Sequence, residues 1–113
     1  MDRSSDFDLE TWIVQVGGDI VEKKALLGSE ALTQLERLVY CLWVADYGMR
    51  NAGDLATASD LYPRFQEEGA SLARELGLAQ THAAFAEPAV DLERSYFDLL
   101  GGIVDELKKR GGK

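Results

Sequence analysis

The sequence contains one cysteine, Cys41, and one histidine, His82. A lone cysteine forms no intramolecular disulfide and cannot supply the paired thiolates of a structural zinc site. A lone histidine excludes a two-histidine metal site. The apolar neighbours of Cys41 favour a buried, inert thiol over a nucleophile. We therefore expect no metal, no disulfide and no cysteine catalysis, with His82 as a surface or capping residue.

Long hydrophobic runs are also missing. No stretch approaches the roughly 18 apolar residues of a membrane span. The first ten residues, MDRSSDFDLE, are acidic and lack the apolar segment of a secretory signal. These features predict a cytoplasmic protein without membrane association.

No sequence pattern indicates a cofactor. The pairs Gly17-Gly18 and Gly101-Gly102 lack the Lys-Ser/Thr ending and the strand–turn–helix setting of a phosphate-binding loop. Glycine pairs inside helices more often permit close packing or a bend. We therefore expect no cofactor and a packing role for both pairs.

Positive charge is scarce. The chain has 12 basic and 20 acidic residues, and four of the basic ones lie in residues 108–113, KKRGGK. Residues 1–107 thus hold 8 basic and 20 acidic residues, a net charge of −12. Such a surface repels nucleic acid and attracts basic partners, so we expect no direct nucleic-acid binding. Solubility alone is the competing explanation for the acidity.

Apolar residues recur at helical spacing, and the alternating pattern of strands is absent. The pattern predicts an all-α protein, a single compact bundle of five or six helices in residues 1–107, followed by a short basic tail at 108–113. The run from Leu38 to Ala45 is apolar nearly all round, which predicts a central helix. The expected core includes Leu38, Val39, Leu42, Trp43, Tyr96, Leu99 and Ile103.

Helix boundaries are marked by small and polar residues. Ser29 is suited to cap the second helix, and Gly53 to end it with a positive φ angle. Asp54 is suited to cap the segment that follows, and Thr81 to start a short helix. In the last helix, Phe97 is expected to widen the apolar face.

Three carboxylates on the last helix recur every seven residues, at Asp91, Asp98 and Asp105. They form a line with a repeat of roughly 10.5 Å at 1.5 Å per residue. Duplex DNA carries a charge about every 1.7 Å of axis, so this line alone is too sparse to copy a duplex. Added charge from Glu87, the acidic N-terminus or a second chain would raise the density. The predicted partner-binding residues are Glu87, Asp91, Asp98 and Asp105, and an ordinary solvated helix face is the alternative.

The stretch DYGMRNAGDLATASDLY, residues 46–62, follows the apolar run. Asparagine tolerates left-handed backbone geometry and glycine adopts it freely, so Asn51 and Gly53 favour a helix-ending turn. Exposed polar groups on such a turn can also bind ligands. The alternative prediction is a pocket formed by Tyr47, Arg50, Asn51 and His82.

The segments VYCLWVADYGMRNAGDL and EEGASLARELGLAQTHAAF together resemble a bacterial helical family related to an acidic DNA-mimic protein. The resemblance spans about residues 30–100. Asn51 and Gly53 match the Asn and second Gly of the family's Asn-Gly-Gly-Phe turn, whereas Ala52 and Asp54-Leu55 depart from it. The resemblance implies a helical protein that occupies the DNA-binding surface of a regulator or nuclease.

Two functions of different classes follow. The leading prediction is a non-enzymatic interaction protein whose acidic surface binds a basic protein, in its sharpest form by DNA mimicry. The alternative is a small enzyme or ligand-binding domain that uses the predicted pocket, although the sequence offers no nucleophile–base pair for it. The chain could also form a homodimer.

Overall fold

Helices account for nearly all of residues 9–111, the part of the chain that this computed structural model describes, and no strand occurs there. Residues 1–8 belong to the predicted helical domain and residues 112–113 to the predicted basic tail, and both segments lie outside the described residues. The prediction of an all-α bundle is confirmed. The six α-helices are α1 (Gly18–Leu27), α2 (Gln34–Ala52), α3 (Ala56–Leu61), α4 (Phe65–Leu76), α5 (Ala79–Ala86) and α6 (Ala89–Gly111).

A π-helical segment, Ile13–Gly17, runs directly into α1. A Cβ atom on Gly17 would overlap the Trp43 indole of α2, whereas one on Gly18 would meet nothing within 4 Å. Gly17 therefore lets this segment approach α2 closely and has the packing role expected for the pair, whereas Gly18 shows no such role. Gly28 then ends α1 with a φ angle of 87°.

The start of α2 is fixed by Thr33 rather than by Ser29. Ser29–Ala31 form a short 3-10 turn, so the prediction of Ser29 as the cap is wrong. The Glu36 N–H donates to Thr33 Oγ1 at 3.1 Å, and the Thr33 N–H donates to Glu36 Oε1 at 2.9 Å. This reciprocal pair is a capping box. The Thr33 N–H bond lowers the pKa of Glu36, with the Lys23 ammonium contributing further.

The predicted central position of α2 is confirmed. Leu38, Val39 and Leu42 are buried, and Cys41 is completely inaccessible. Burial raises the pKa of the Cys41 thiol, which agrees with an inert core residue. Trp43 is only partly buried against this core.

The stretch that follows α2 is a turn, as predicted. Gly53 has a φ angle of 73° and its N–H donates to the carbonyl oxygens of Gly48 and Met49. Asp54 Oδ1 then accepts from the Thr57 N–H at 3.0 Å, which confirms its capping role. Glycine is favoured at positive φ because it has no Cβ atom.

The C-terminal half of the fold differs from the sequence prediction at three points. The helix α5 begins at Ala79 rather than at Thr81, and Thr81 is completely buried. The helix α6 extends to Gly111, so residues 108–111 continue the helix instead of forming a separate tail. Phe97 is 52% exposed and does not widen the apolar face. Tyr96 and Ile103 are buried as predicted, and Leu99 is partly buried.

The dimensions agree with one compact unit. The radius of gyration is 12.9 Å, close to the roughly 13 Å of a compact domain of about 100 residues. Membrane insertion finds no support in the described part of the chain, where every helix is too short or too polar to cross a bilayer.

The central position of α2 predicts that Leu42→Ala greatly lowers the unfolding free energy. The Leu42 side chain is 1% exposed, and truncating such a leucine costs about 2–5 kcal/mol of unfolding free energy. Urea denaturation followed by circular dichroism measures this change. Leu26→Ala is the control because Leu26 is 75% exposed. A loss below about 1 kcal/mol for Leu42→Ala would contradict the assignment of α2 as the core helix.

The two glycines at the junction of the π-helical segment and α1 predict opposite effects of the same substitution. Gly17→Ala forces a methyl group into the Trp43 ring, and overpacking of this kind costs about 1–3 kcal/mol. Gly18→Ala meets open space and should add up to about 1 kcal/mol through helix propensity. Thermal unfolding of both variants measures the difference. Equal melting temperatures would contradict the close contact between Gly17 and Trp43.

Candidate functional site

A carboxylate of α6 fixes the start of α5. Glu106 Oε1 accepts from the Thr81 N–H and from the Thr81 hydroxyl, both at 2.7 Å. Glu106 Oε2 accepts from the Gln80 N–H at 3.0 Å. The first-turn N–H groups of a helix lack partners within the helix and carry partial positive charge, so a carboxylate stabilises them. Glu106 thereby holds α5 against α6 at one end.

Gly102, one turn before Glu106 on α6, accommodates the Gln80 side chain of α5. A Cβ atom at Gly102 would overlap the Gln80 side-chain amide. Because Gly102 has none, the Gln80 side chain lies directly on the α6 backbone. This explains one of the two glycines in the Gly101-Gly102 pair.

A shallow groove with a volume of about 230 Å³ follows from these contacts. We call it the α5–α6 groove, and it is lined by Gln80, Ala83, Ala84, Glu87, Asp98, Leu99 and Gly102. Two of the four predicted partner-binding residues, Glu87 and Asp98, thus lie in the same groove. Both side chains are exposed, and no described basic side chain lies within ion-pair distance of either.

The other two predicted partner-binding residues lie outside the groove. Asp91 is partly buried near the start of α6. Asp105 is exposed and forms an ion pair with Lys109 at 3.1 Å, one turn further along. Exposed pairs of this kind contribute little to stability. The predicted line of carboxylates therefore has one member already paired.

The residues of the alternative pocket have separate partners. His82 Nδ1 lies 2.9 Å from the Ala70 carbonyl oxygen of α4. The Asn51 amide donates to the Tyr47 carbonyl oxygen at 2.8 Å, within the last turn of α2. Arg50 binds Asp46. Among the described contacts none joins His82 to Tyr47, Arg50 or Asn51, so the structure gives this pocket no support.

A cluster that the sequence did not predict forms around the buried Asp46 carboxylate. The Tyr96 hydroxyl donates to Asp46 Oδ1 at 2.7 Å, and Arg50 Nε donates to Asp46 Oδ2 at 2.9 Å. Asp46 is 4% exposed and Tyr96 is 1% exposed. The Arg50 guanidinium lies 5.3 Å from the centre of the Phe97 ring. We call Asp46, Arg50, Tyr96 and Phe97 the Asp46 cluster.

The geometry of the Asp46 cluster indicates a structural role. The buried Asp46 carboxylate is neutralised by Arg50 and is hydrogen-bonded by Tyr96, as a buried charge requires. The i,i+4 spacing of Asp46 and Arg50 was the available sequence signal. Nothing in the sequence indicated that Tyr96, fifty residues later, is the second partner.

Several other carboxylates also bind backbone or side-chain groups of the fold. Glu93 Oε1 accepts from the Leu55 N–H at 2.8 Å, before the start of α3. Glu68 accepts a hydrogen bond from the Tyr62 hydroxyl. Within residues 9–111 no group of three His, Cys, Asp or Glu side chains is arranged to hold a metal ion. Part of the acidity of the chain thus serves the fold.

Comparison with known proteins adds no further assignment. No protein-family model, no curated protein and no solved structure matches this chain. The function must therefore be argued from the geometry and charge of the described residues.

The Asp46 cluster predicts a stability loss for Tyr96→Phe. The variant removes the hydroxyl that donates to Asp46 and keeps the ring, so the change isolates one hydrogen bond. A hydrogen bond to a charged group contributes about 1.5–3 kcal/mol. Urea denaturation at neutral pH measures the loss. Tyr47→Phe is the control because Tyr47 is 44% exposed.

The same variant should change the stability of the protein in alkali. Burial, and then the Asp46 carboxylate, raise the pKa of Tyr96 well above its ordinary value. The folded chain therefore keeps this proton at pH values where the unfolded chain has lost it. The contribution of Tyr96 to the unfolding free energy is therefore constant below about pH 10, and it falls as the pH rises further. Tyr96→Phe should reduce this alkaline slope, and an unchanged slope would contradict the assignment.

Proposed function

We propose that this chain is a non-enzymatic interaction protein that binds a basic partner protein through the α5–α6 groove. The observation that carries the proposal is the placement of Glu87 and Asp98 in one groove without a described basic neighbour. Two carboxylates that line one groove favour a cationic group within it.

The groove suits a lysine or arginine side chain. Its walls include the methyl groups of Ala83 and Ala84 and the partly buried Leu99, which can contact the aliphatic stem. Glu87 and Asp98 supply acceptors for the charged end. An arginine can also donate to the Gln80 amide oxygen, since its guanidinium carries five N–H donors.

The charge of the chain supports association with a basic surface. Residues 1–107 have a net charge of −12, and a strongly charged surface accelerates encounter with an oppositely charged partner. Glu106, Glu93 and Asp46 are bound within the fold. Exposed carboxylates such as Glu87 and Asp98 belong to the part of this charge that is available to a partner.

The sharper form of the proposal is DNA mimicry, which the sequence resemblance implies. Asp91, Asp98 and Asp105 lie on one uninterrupted helix, and Glu87 adds a second carboxylate beside Asp98. In this form the partner is a DNA-binding protein. The carboxylates of this chain occupy the sites on that partner that would otherwise bind DNA phosphates. A duplex should then compete with this chain for that partner.

Titration with a short oligoarginine peptide, monitored by nuclear magnetic resonance, tests the groove directly. Backbone amide shifts should concentrate at Gln80, Glu87, Asp98 and Gly102. Sodium chloride should weaken the complex because counter-ions screen exposed charges. Shifts spread evenly over all exposed carboxylates would contradict a defined groove.

The proposal predicts that a charge-neutralising double variant loses affinity for the peptide. Glu87→Gln with Asp98→Asn removes two charges with little change in shape, so the melting temperature should stay constant while peptide association weakens by about tenfold or more. Isothermal titration calorimetry at low salt measures the affinity. The matched control is Glu22→Gln with Asp60→Asn, which removes the same charge from two exposed positions on α1 and α3. Equal losses in both double variants would leave only a general effect of net charge.

Capture of partners from a native cell extract at low salt, followed by elution with salt, supplies the partner for the mimicry test. The captured protein is then mixed with this chain and with increasing duplex DNA. Displacement by the duplex is expected for a DNA mimic. Simultaneous binding of the chain and the duplex would contradict mimicry while leaving the interaction itself intact.

A further inference from the structure

Two large apolar side chains, Val90 and Phe97, are exposed on the solvent side of α6, and Arg50 of α2 lies over the Phe97 ring. Val90 is 60% exposed and Phe97 is 52% exposed, although both are large and hydrophobic. Arg94 follows Val90 by four residues, and Gly101 follows Phe97 by four. This alternation of four and three residues places all of them on one side of the helix. We call Val90, Arg94, Phe97 and Gly101 the outer stripe.

Among residues 9–111, no neighbour of Gly101 requires a glycine at this position. A Cβ atom at Gly101 would meet only Leu9 Cδ1, at 4.0 Å, which is an ordinary contact. Gly102, by comparison, has the Gln80 side-chain amide at the place that a Cβ atom would occupy. Gly101 is partly buried. Glycine inside a helix is less stable than alanine, so a helical glycine whose described neighbours leave room for a side chain calls for another cause. A second helix that approaches closely at Gly101 is such a cause.

The charges along α6 are complementary to those of a second, antiparallel α6. When Asp98 of one copy lies beside Gly101 of the second copy, Asp91 comes beside Lys108 and Asp105 comes beside Arg94. The same pairs form again across the two-fold axis. Arg94 has no described ion pair within its own chain, and Asp105 has only the exposed pair with Lys109. A parallel arrangement in register would instead place each of these charges beside its own kind.

We propose that this chain forms a homodimer through the outer stripe, with the two α6 helices antiparallel. Phe97 of each copy packs against Gly101 of the other, and Val90 extends the apolar contact toward the ends. Arg94 and Asp105 form ion pairs between the copies and set the register. The α5–α6 groove lies on the other side of the carboxylate line, so the dimer leaves Glu87 open to a partner.

Sedimentation velocity over a range of protein concentrations tests the dimer at physiological salt. The unmodified chain should show a reversible monomer–dimer equilibrium. Gly101→Gln should weaken the dimer by about tenfold or more and should keep or raise the melting temperature, because glutamine favours helix. Gly18→Gln is the matched control, since a Cβ atom there also meets no neighbour. A chain that stays monomeric throughout, or a dimer that Gly101→Gln leaves unchanged, would overturn the proposal.

A charge exchange tests the antiparallel register. Arg94→Asp and Asp105→Arg should each weaken the dimer, because each creates two like-charge pairs between the copies. The double variant restores opposite charges and should recover most of the affinity. Circular dichroism verifies that each variant remains helical. A double variant as weak as the single ones would overturn the proposed register.

Different variants test the binding proposal and the dimer proposal. Glu87→Gln leaves the outer stripe intact, so it should not change the sedimentation of the chain. Gly101→Gln leaves the α5–α6 groove intact, so it should not change the affinity for oligoarginine. Loss of peptide binding in Gly101→Gln would indicate that the two faces act as one surface, and would overturn the dimer as a separate interface.

Discussion

The hydrogen bond from Tyr96 to Asp46 connects the longest helix of the bundle to the central one. It joins α6 to α2 at a point where both residues are almost completely buried. A buried carboxylate is tolerated only when it is paired, so Asp46 also requires Arg50. Arg50 in turn lies over Phe97, the residue next to Tyr96. The rotation of α6 about its own axis is fixed by these contacts, and with it the direction in which every other α6 side chain points.

Once α6 is oriented, its acidic residues divide into two groups. Glu93 and Glu106 lie near the edges of the apolar face and bind backbone N–H groups of neighbouring segments. Asp98 and Asp105 point to solvent. Glu106 supplies a cap at α5 that the chain does not provide locally, since Leu78 cannot cap a helix through its side chain. Glu93 adds a second acceptor at the start of α3, beside the local cap from Asp54. Net charge alone does not distinguish carboxylates that bind groups of the fold from carboxylates that are free to bind a partner. The position of a carboxylate around the helix axis does distinguish them.

The turn after α2 could be predicted from local signals. The starts of α2 and α5, expected at Ser29 and Thr81, were predicted wrongly, and the contacts between distant residues could not be predicted. Gly53 and Asp54 act within a few residues of themselves, and glycine and aspartate have strong preferences for positive φ and for capping. The core positions of α2 follow from periodicity, which needs no knowledge of the rest of the chain. The cap at α5 depends on Glu106, which is 25 residues from Thr81, and no spacing rule predicts such a pair. The convergence of Glu87 and Asp98 likewise required the packing of α5 on α6. Phe97 was misplaced because periodicity counts an aromatic residue as core without knowing where the neighbouring helix ends.

The acidity of the chain and its exposed apolar stripe constrain one another. With a formal net charge of −8, two copies repel at long range, so hydrophobic contact alone favours association less than it would between neutral chains. Arg94 and Lys108 reduce this repulsion only when they face Asp105 and Asp91 of a second copy, which requires the antiparallel register. Misaligned contacts of the same apolar residues would place carboxylates against carboxylates. The acidic line on α6 can therefore disfavour non-specific aggregation of the outer stripe while the adjacent groove remains available to a basic partner.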